Sequence, residues 1–311
     1  MQVYSRLLYT VSFGLVLALF NHRLFAETSP PSSIVQLQPA WTHTTGPGQT
    51  GPLSYTIATY NSDLMGQPRT YGVVLPPGYN AAGHQRYPVI LLLHGGHGGP
   101  TDWLQPDKGN ALATLQQLYQ AGRLPPSIVI TPDGNDHRGS NSHWDPQYRD
   151  GPYGPVLTAL GRELVQVIKT RYLTLPDAAY WAIGGLSSGG WGALNIGLHF
   201  PDQFGVLFSH SGYYIDRSGP QNSPINQVRT LSTNHLQRLH IYLDTGTSDR
   251  RYLAQTIAFH QELDALHVAH QFSAFPGAHT WRFWRQHLAD SLSYVGTQFQ
   301  QASLTQISQR H

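Results

Sequence analysis

The segment Tyr87–Leu93 (YPVILLL) is a nearly continuous apolar run. A strand with one wet face alternates polar and apolar residues. A run without alternation therefore marks a strand buried on both faces, as in a parallel sheet with helices on each side. Ser127–Thr131 (SIVIT) has the same character. Shorter apolar stretches predict further strands at Tyr71–Leu75, Tyr180–Gly184, Val206–Ser209, Leu239–Asp244 and His270–Phe275. Between them the pattern changes to a helical period. Lys108–Ala121 stops at Gly122, and Pro155–Tyr172 carries Val156, Leu160, Leu164, Val167 and Ile168 on one face. Ser188–His199 is stopped by Pro201, and Arg250–His267 and Thr280–Phe299 complete the set. This alternation predicts an α/β protein, a mainly parallel sheet with helices on both faces. In such sheets the reactive groups gather in loops beyond the carboxyl ends of the strands.

One of those loops reads Gly184-Gly185-Leu186-Ser187-Ser188-Gly189-Gly190. Gly185, Ser187 and Gly189 form a G-x-S-x-G pattern with a strand before it and a helix after it, the context that a nucleophile turn needs. A tight strand-to-helix turn forces the serine backbone into a strained conformation, and side chains on the flanking positions would clash. The turn lifts the hydroxyl above the sheet edge at a helix N-terminus, where a developing negative charge is favoured. Ser188 fails the same test, because Leu186 would then occupy the preceding glycine position.

A serine hydroxyl needs a base, and the base needs an orienting acid. On this kind of fold the chain order is serine, acid, histidine. His279 follows the strand His270–Phe275 in a loop with Gly277, whereas His260, His267 and His287 lie within predicted helices. For the acid, Asp249 lies in the loop after Leu239–Asp244 and Asp244 lies at the strand end, where it could instead cap the loop. Upstream, Leu93-His94-Gly95-Gly96-His97-Gly98-Gly99 leaves a buried strand. Its backbone, at Gly96, together with the N–H of Ser188, predicts an oxyanion hole. His94, His97, Asp133, Asp136, His137 and His143 invite a metal reading, but three or four ligands must converge. The expectation is that no metal and no cofactor is used and that His94 holds its loop by hydrogen bonds.

The rest of the composition narrows the classes. The chain has 311 residues, no cysteine, a formal net charge of +2 and only 12% charged residues. Disulfides, thiolate zinc sites and a cysteine nucleophile are excluded. No basic run or stripe offers the phosphate contacts that nucleic-acid binding requires. Residues 1–26 combine Arg6, the apolar run Leu7–Phe20 and a boundary after Ala26, which predicts a signal peptide, with an uncleaved anchor as the rival. Either places the protein outside the cytoplasmic membrane, secreted or periplasmic, with no stable membrane insertion if the signal is cleaved. Residues 27–51 read as a Pro/Ser/Thr/Gly-rich linker, and 52–311 as the catalytic domain.

Several stretches together resemble the putative-esterase family of α/β hydrolases, which includes feruloyl and acetyl-xylan esterases, enterochelin esterases, S-formylglutathione hydrolases and mycolyltransferases. They are Leu75-Pro76-Pro77-Gly78-Tyr79, Tyr87–Gly99 with Asp102-Trp103, Pro132-Asp133-Gly134 with Trp144, Ala182–Leu194, His199–Phe204, Gly246–Asp249, and Pro276–Trp281 with Trp284. The resemblance spans about Gly66 to Leu288. It implies an α/β-hydrolase fold, triad roles for Ser187, Asp249 and His279, and oxyanion roles for Gly96 and Ser188. Ser188 stands where that family often has Met, and Thr280 where an Asp commonly follows the histidine, so substrate preference is not implied. The expected activity is hydrolysis of a small-molecule or carbohydrate-linked carboxylic ester through an acyl-enzyme. An acyltransferase using the same acyl-enzyme and a non-catalytic binding protein on the same fold are the alternatives. Trp103, Trp144, Trp191, Trp281 and Trp284 are candidates for a cleft lining, with Trp191 and Trp284 expected to pack helices instead.

Overall fold

The structure, a computed structural model, describes residues 52–141, 143 and 147–308. The predicted signal peptide, the predicted linker and Trp144 lie outside the described residues. Eight strands form one sheet: β1 Thr56–Ser62, β2 Gln67–Val74, β3 Val89–Leu93, β4 Ile128–Pro132, β5 Trp181–Leu186, β6 Val206–His210, β7 His240–Gly246 and β8 Ala269–Phe275. Their spatial order is β1-β2-β4-β3-β5-β6-β7-β8. β2 pairs antiparallel with β1 and β4, and the remaining pairs are parallel.

The uninterrupted apolar runs have a direct explanation. Ile90, Leu92 and Val129 point to one side of the sheet, where they pack with Leu115 and Leu118 of α1 (Ala111–Gln120) and with Leu288, Leu292, Val295 and Phe299 of α5 (Trp281–Ser308). Val89, Leu91, Leu93, Ile128 and Ile130 point to the other. That side holds the helix 156–171 (α2), Leu194 and Ile196 of α3 (Ser188–His199), and Phe259 and Leu263 of α4 (Arg250–Ala265). Each strand thus feeds two cores, and each fully buried Leu, Ile or Val contributes about 1.5–3 kcal/mol. α2 is not uniform, because a π-helical stretch, Ala159–Leu164, lies between its α-helical ends.

Several differences from the sequence reading have local causes. β1 (TIATYNS) was not anticipated; it is an edge strand with only Tyr60 and Ser62 buried, so it shows no apolar run. β2 begins at Gln67: its polar first half, Gln67 to Thr70, pairs with β1 alone, whereas Tyr71 to Val73 lie between β1 and β4. α1 starts at Ala111, later than Lys108, since Asn110 adopts a left-handed conformation (φ 50°). α5 continues past Phe299 to Ser308. Among the described residues no helix is long and apolar enough to cross a membrane.

The topology locates a crevice. From β3 the chain moves to β4 on one side, and then crosses to β5 on the other. At such a switch point the loops leaving the two strands diverge and open a site at their carboxyl ends. Leu93 and Gly185 are register partners at those ends of β3 and β5.

Candidate active site

Ser187 follows β5 directly and precedes α3, with φ 53° and ψ −121°. A non-glycine residue held there costs on the order of 1–3 kcal/mol and persists only when its surroundings over-determine it. Here they do. The Ser187 N–H donates to the His210 carbonyl of β6 (2.9 Å), and its carbonyl accepts the Trp191 N–H (3.0 Å), opening α3. A Cβ on Gly185 would lie 2.6 Å from the carbonyl oxygens of Leu93 and Gly189, and one on Gly189 would strike those of Leu93 and His94. The two glycines of the motif are therefore where β3, β5 and α3 touch backbone to backbone.

Two other loops bring side chains to this turn. His279 Nε2 is 2.9 Å from Ser187 Oγ, and His279 Nδ1 is 2.6 Å from Asp249 Oδ2. A carboxylate only accepts, so Nδ1 carries the proton, Nε2 presents a lone pair, and the Ser187 hydroxyl donates to it. Asp249 is 8% exposed and stands at the N-cap position of α4, but its side chain makes no cap bond. The loops that carry Asp249 and His279 are joined by backbone bonds from Thr247 N–H to the Phe275 carbonyl and from Ser248 N–H to the Gly277 carbonyl, both 2.8 Å. They approach so closely that a Cβ on Gly246 would lie 2.5 Å from the Gly277 oxygen.

The His279 ring is held on two sides. Tyr252 stacks on it (4.3 Å between centroids, 20° between planes), and Trp284 meets it edge-on (4.8 Å, 89°). Both contacts go beyond the sequence pattern, which does not single out Tyr252 and gives Trp284 a helix-packing place. The available signal was spacing, since Tyr252 is three residues beyond Asp249 at a helix start and so returns to the same face. Trp191, by contrast, is buried and donates from Nε1 to the Asn222 carbonyl (2.8 Å). Trp103 is also buried, donates to the Leu93 carbonyl (2.9 Å), and packs edge-on against the half-buried Trp281.

Asp244 is elsewhere. It is fully buried in β7 beside its register partner His210 of β6, and both carboxylate oxygens lie 2.8–2.9 Å from His210 Nδ1. His210 Nε2 is 3.0 Å from Ser291 Oγ of α5. This buried chain lies beneath the Ser187 turn, whose N–H bonds to the His210 carbonyl.

Gly96 lies in the loop after β3, and that loop passes the Ser187 turn: a Cβ on its neighbour Gly95 would lie 3.5 Å from Ser187 Cβ. The loop is tied down by polar groups. The Tyr148 hydroxyl donates to the His94 carbonyl (2.8 Å), Gly134 N–H donates to His94 Nε2 (2.9 Å), and Asn135 Nδ2 donates to the Gly98 carbonyl (3.0 Å). Burial pushes the Tyr148 phenol far up, so it remains a neutral donor. Burial would raise Asp133 as well. The His94 ring 3.8 Å away, the nearby Arg69 guanidinium and the Asn135 N–H outweigh burial and hold it at about 2. His94 therefore has both ring nitrogens engaged, Nδ1 with the Gly95 carbonyl (2.9 Å). His97 bonds to the Asn141 carbonyl (2.6 Å), His137 to the Met65 carbonyl (2.8 Å), and Asp136 to Arg138. Among the described residues these side chains do not converge on one point.

A doubly covered, mostly parallel sheet with a strained serine turn after β5 and a histidine loop after β8 defines an α/β hydrolase. Residues 62–295 match the family model described as Putative esterase, and the chain belongs to that family. An uncharacterized protein of Corynebacterium glutamicum is 25% identical over 241 residues, 71% of this chain and 55% of the relative. An endo-1,4-beta-xylanase/feruloyl esterase of Xylanibacter ruminicola is 32% identical over 160 residues, 50% of this chain and 21% of the relative. The chain thus spans about half or less of these curated relatives. A solved ferulic acid esterase superposes with a TM-score of 0.73 at 26% identity, covering 80% of this chain and 100% of that one.

Proposed function

We propose that the protein is a serine carboxylic-ester hydrolase, with Ser187 as nucleophile, His279 as general base and then acid, and Asp249 as the orienting acid. The observation that carries this reading is the hydrogen-bond chain Asp249–His279–Ser187 on a strained turn. Ser187 Oγ attacks the ester carbonyl as its proton passes to His279 Nε2. The N–H groups of Gly96 and Ser188 receive the oxyanion, and each such donor is worth about 2.7–4 kcal/mol in the transition state. His279 then protonates the leaving alcohol, and water, deprotonated by the same nitrogen, releases the acid. Asp249 orients the ring and stabilises the imidazolium that forms at each step.

The matched relatives make feruloyl esters the first substrates to try, alongside short aryl esters. The N-terminal segment supports an exported enzyme, checked by cell fractionation. The deciding experiment is labelling with a fluorophosphonate probe followed by peptide mass spectrometry. The expected adduct is on Ser187, with ester turnover abolished in step; turnover that persists in Ser187→Ala overturns the proposal.

A further inference from the structure

A second cluster of histidines lies outside this machinery, where the end of α4 meets the start of β8. His260 Nδ1 is 2.7 Å from His270 Nε2, and His260 Nε2 is 3.5 Å from Asp264 Oδ2. His270 Nε2 is 3.7 Å from Asp264 Oδ1. One ligand atom from each of the three residues lies within 4.8 Å of the other two. His260 and Asp264 are one helical turn apart, so the helix itself places them side by side. Phe272 packs on the His260 ring (4.9 Å between centroids), and the His270 side chain is 6% exposed, so both rings are held in place.

The proton count does not close with neutral side chains. His270 Nδ1 is 2.8 Å from the Val268 carbonyl. A carbonyl only accepts, so Nδ1 carries the proton and Nε2 turns a lone pair into the cluster. This is the orientation that metal-binding imidazoles take, with the second nitrogen bonded to a backbone carbonyl. His260 Nδ1 must then donate to that lone pair, which leaves His260 Nε2 as a second lone pair facing an ionised carboxylate. Two acceptors face each other, and a metal ion among the three side chains would take the His260 and Asp264 lone pairs and replace the His260–His270 hydrogen bond.

We propose that His260, Asp264 and His270 form a binding site for a divalent transition-metal ion of the zinc class. Two imidazoles and one carboxylate are the donor set such ions take, whereas Ca²⁺ and Mg²⁺ require shells dominated by oxygen. Bonds of about 2.0–2.2 Å in a tetrahedron put ligand atoms roughly 3.3 Å apart. One ligand atom from each of the three residues lies within 4.8 Å of the other two, so small side-chain rotations reach that spacing. Asp264 is largely exposed, so water completes the coordination from the solvent side.

The ion would join α4 to β8 across the turn 266–268. Asp249 is the N-cap residue of α4, and β8 leads to His279. The site therefore braces the unit that carries acid and base. It lies eleven residues along the helix from Asp249, about 16 Å at 1.5 Å per residue, too far to touch the chemistry. Its signature is stability and not turnover.

The test uses the full, tag-free chain stripped with a chelator and titrated with ZnCl₂ against a chromophoric competitor, with thermal melts in parallel. The expected result is one Zn²⁺ per chain and a Tm rise of roughly 5 °C at 100-fold excess over Kd. Both should be lost in His260→Gln and in His270→Gln, with no response to Mg²⁺ and unchanged ester turnover. His260→Gln is the safer variant because His260 is only half-buried. The proposal is overturned if the stripped wild type takes up no zinc at micromolar concentration. Uptake and Tm rise that survive in His260→Gln overturn it too, by assigning the metal to other histidines among the seventeen.

Discussion

Asp249→Asn separates the two carboxylates that follow β7 in a single measurement. The His279–Asp249 bond is 2.6 Å and Asp249 is nearly buried, so the carboxylate faces the imidazolium without much solvent between them. At an effective dielectric of about 20, unit charges roughly 4 Å apart attract by about 4 kcal/mol. Losing that attraction in the transition state alone lowers kcat by about 10³. An amide that turns its NH₂ towards Nδ1 also favours the wrong tautomer, which takes the expected loss to about 10⁴. Asp244→Asn perturbs different physics. It leaves His279 and its tautomer alone but removes the charged partner of a fully buried histidine. Breaking such a pair costs about 3–5 kcal/mol of stability. The folded fraction should keep kcat within roughly tenfold of wild type, the margin allowing for a small shift of the Ser187 turn. The assay is steady-state hydrolysis of an aryl ester beside thermal melts of both variants. A well-folded Asp244→Asn that loses more kcat than Asp249→Asn would refute the assignment.

Other substitutions test neighbouring links. In Gly189→Ala the new Cβ meets the Leu93 and His94 carbonyls, so kcat should fall at least ~10²-fold and stability by about 1–3 kcal/mol; wild-type turnover would show that β3 and the Ser187 turn are not in that contact. Tyr252→Ala removes the face on which His279 stacks, and should lower kcat by about tenfold while a fluorophosphonate still labels Ser187 more slowly; unchanged kcat would dismiss the ring as a positioning group. The depressed Asp133 carboxyl, held at about 2, stabilises the fold fully above about pH 4 and loses that contribution as pH falls towards 2. Asp133→Asn should therefore be about 2 kcal/mol less stable than wild type at pH 6 by urea denaturation, with the gap closing near pH 2.5; a pH-independent gap would contradict this.

What the sequence displayed and what it hid follow from how local each constraint is. The Ser187 turn was legible because its causes lie within five residues: a strand end, two glycines where backbones collide, and a helix start. The central strands were legible because residues such as Ile90 and Leu91 serve two different cores, which removes alternation from the pattern. β1 was not, since an edge strand with a few buried residues needs no apolar run, and the part of β2 that pairs with β1 alone, Gln67 to Thr70, is polar. The His279 loop could be placed beside Ser187 from chain order and a strand end. Its clamp by Tyr252 and Trp284 could not, because those rings reach His279 from two different helices. The two aspartates show where the boundary falls. Asp244 is five residues before Asp249 and close to the same strand end, and residue chemistry does not tell them apart. Register does: Asp244 is still paired within the sheet, so its side chain is committed to His210 on the neighbouring strand. Asp249 is beyond the last paired residue, on a loop bonded to the loop of His279. A carboxylate inside the sheet can brace the floor of the site, whereas only one beyond the sheet edge can reach a histidine that must also reach Ser187.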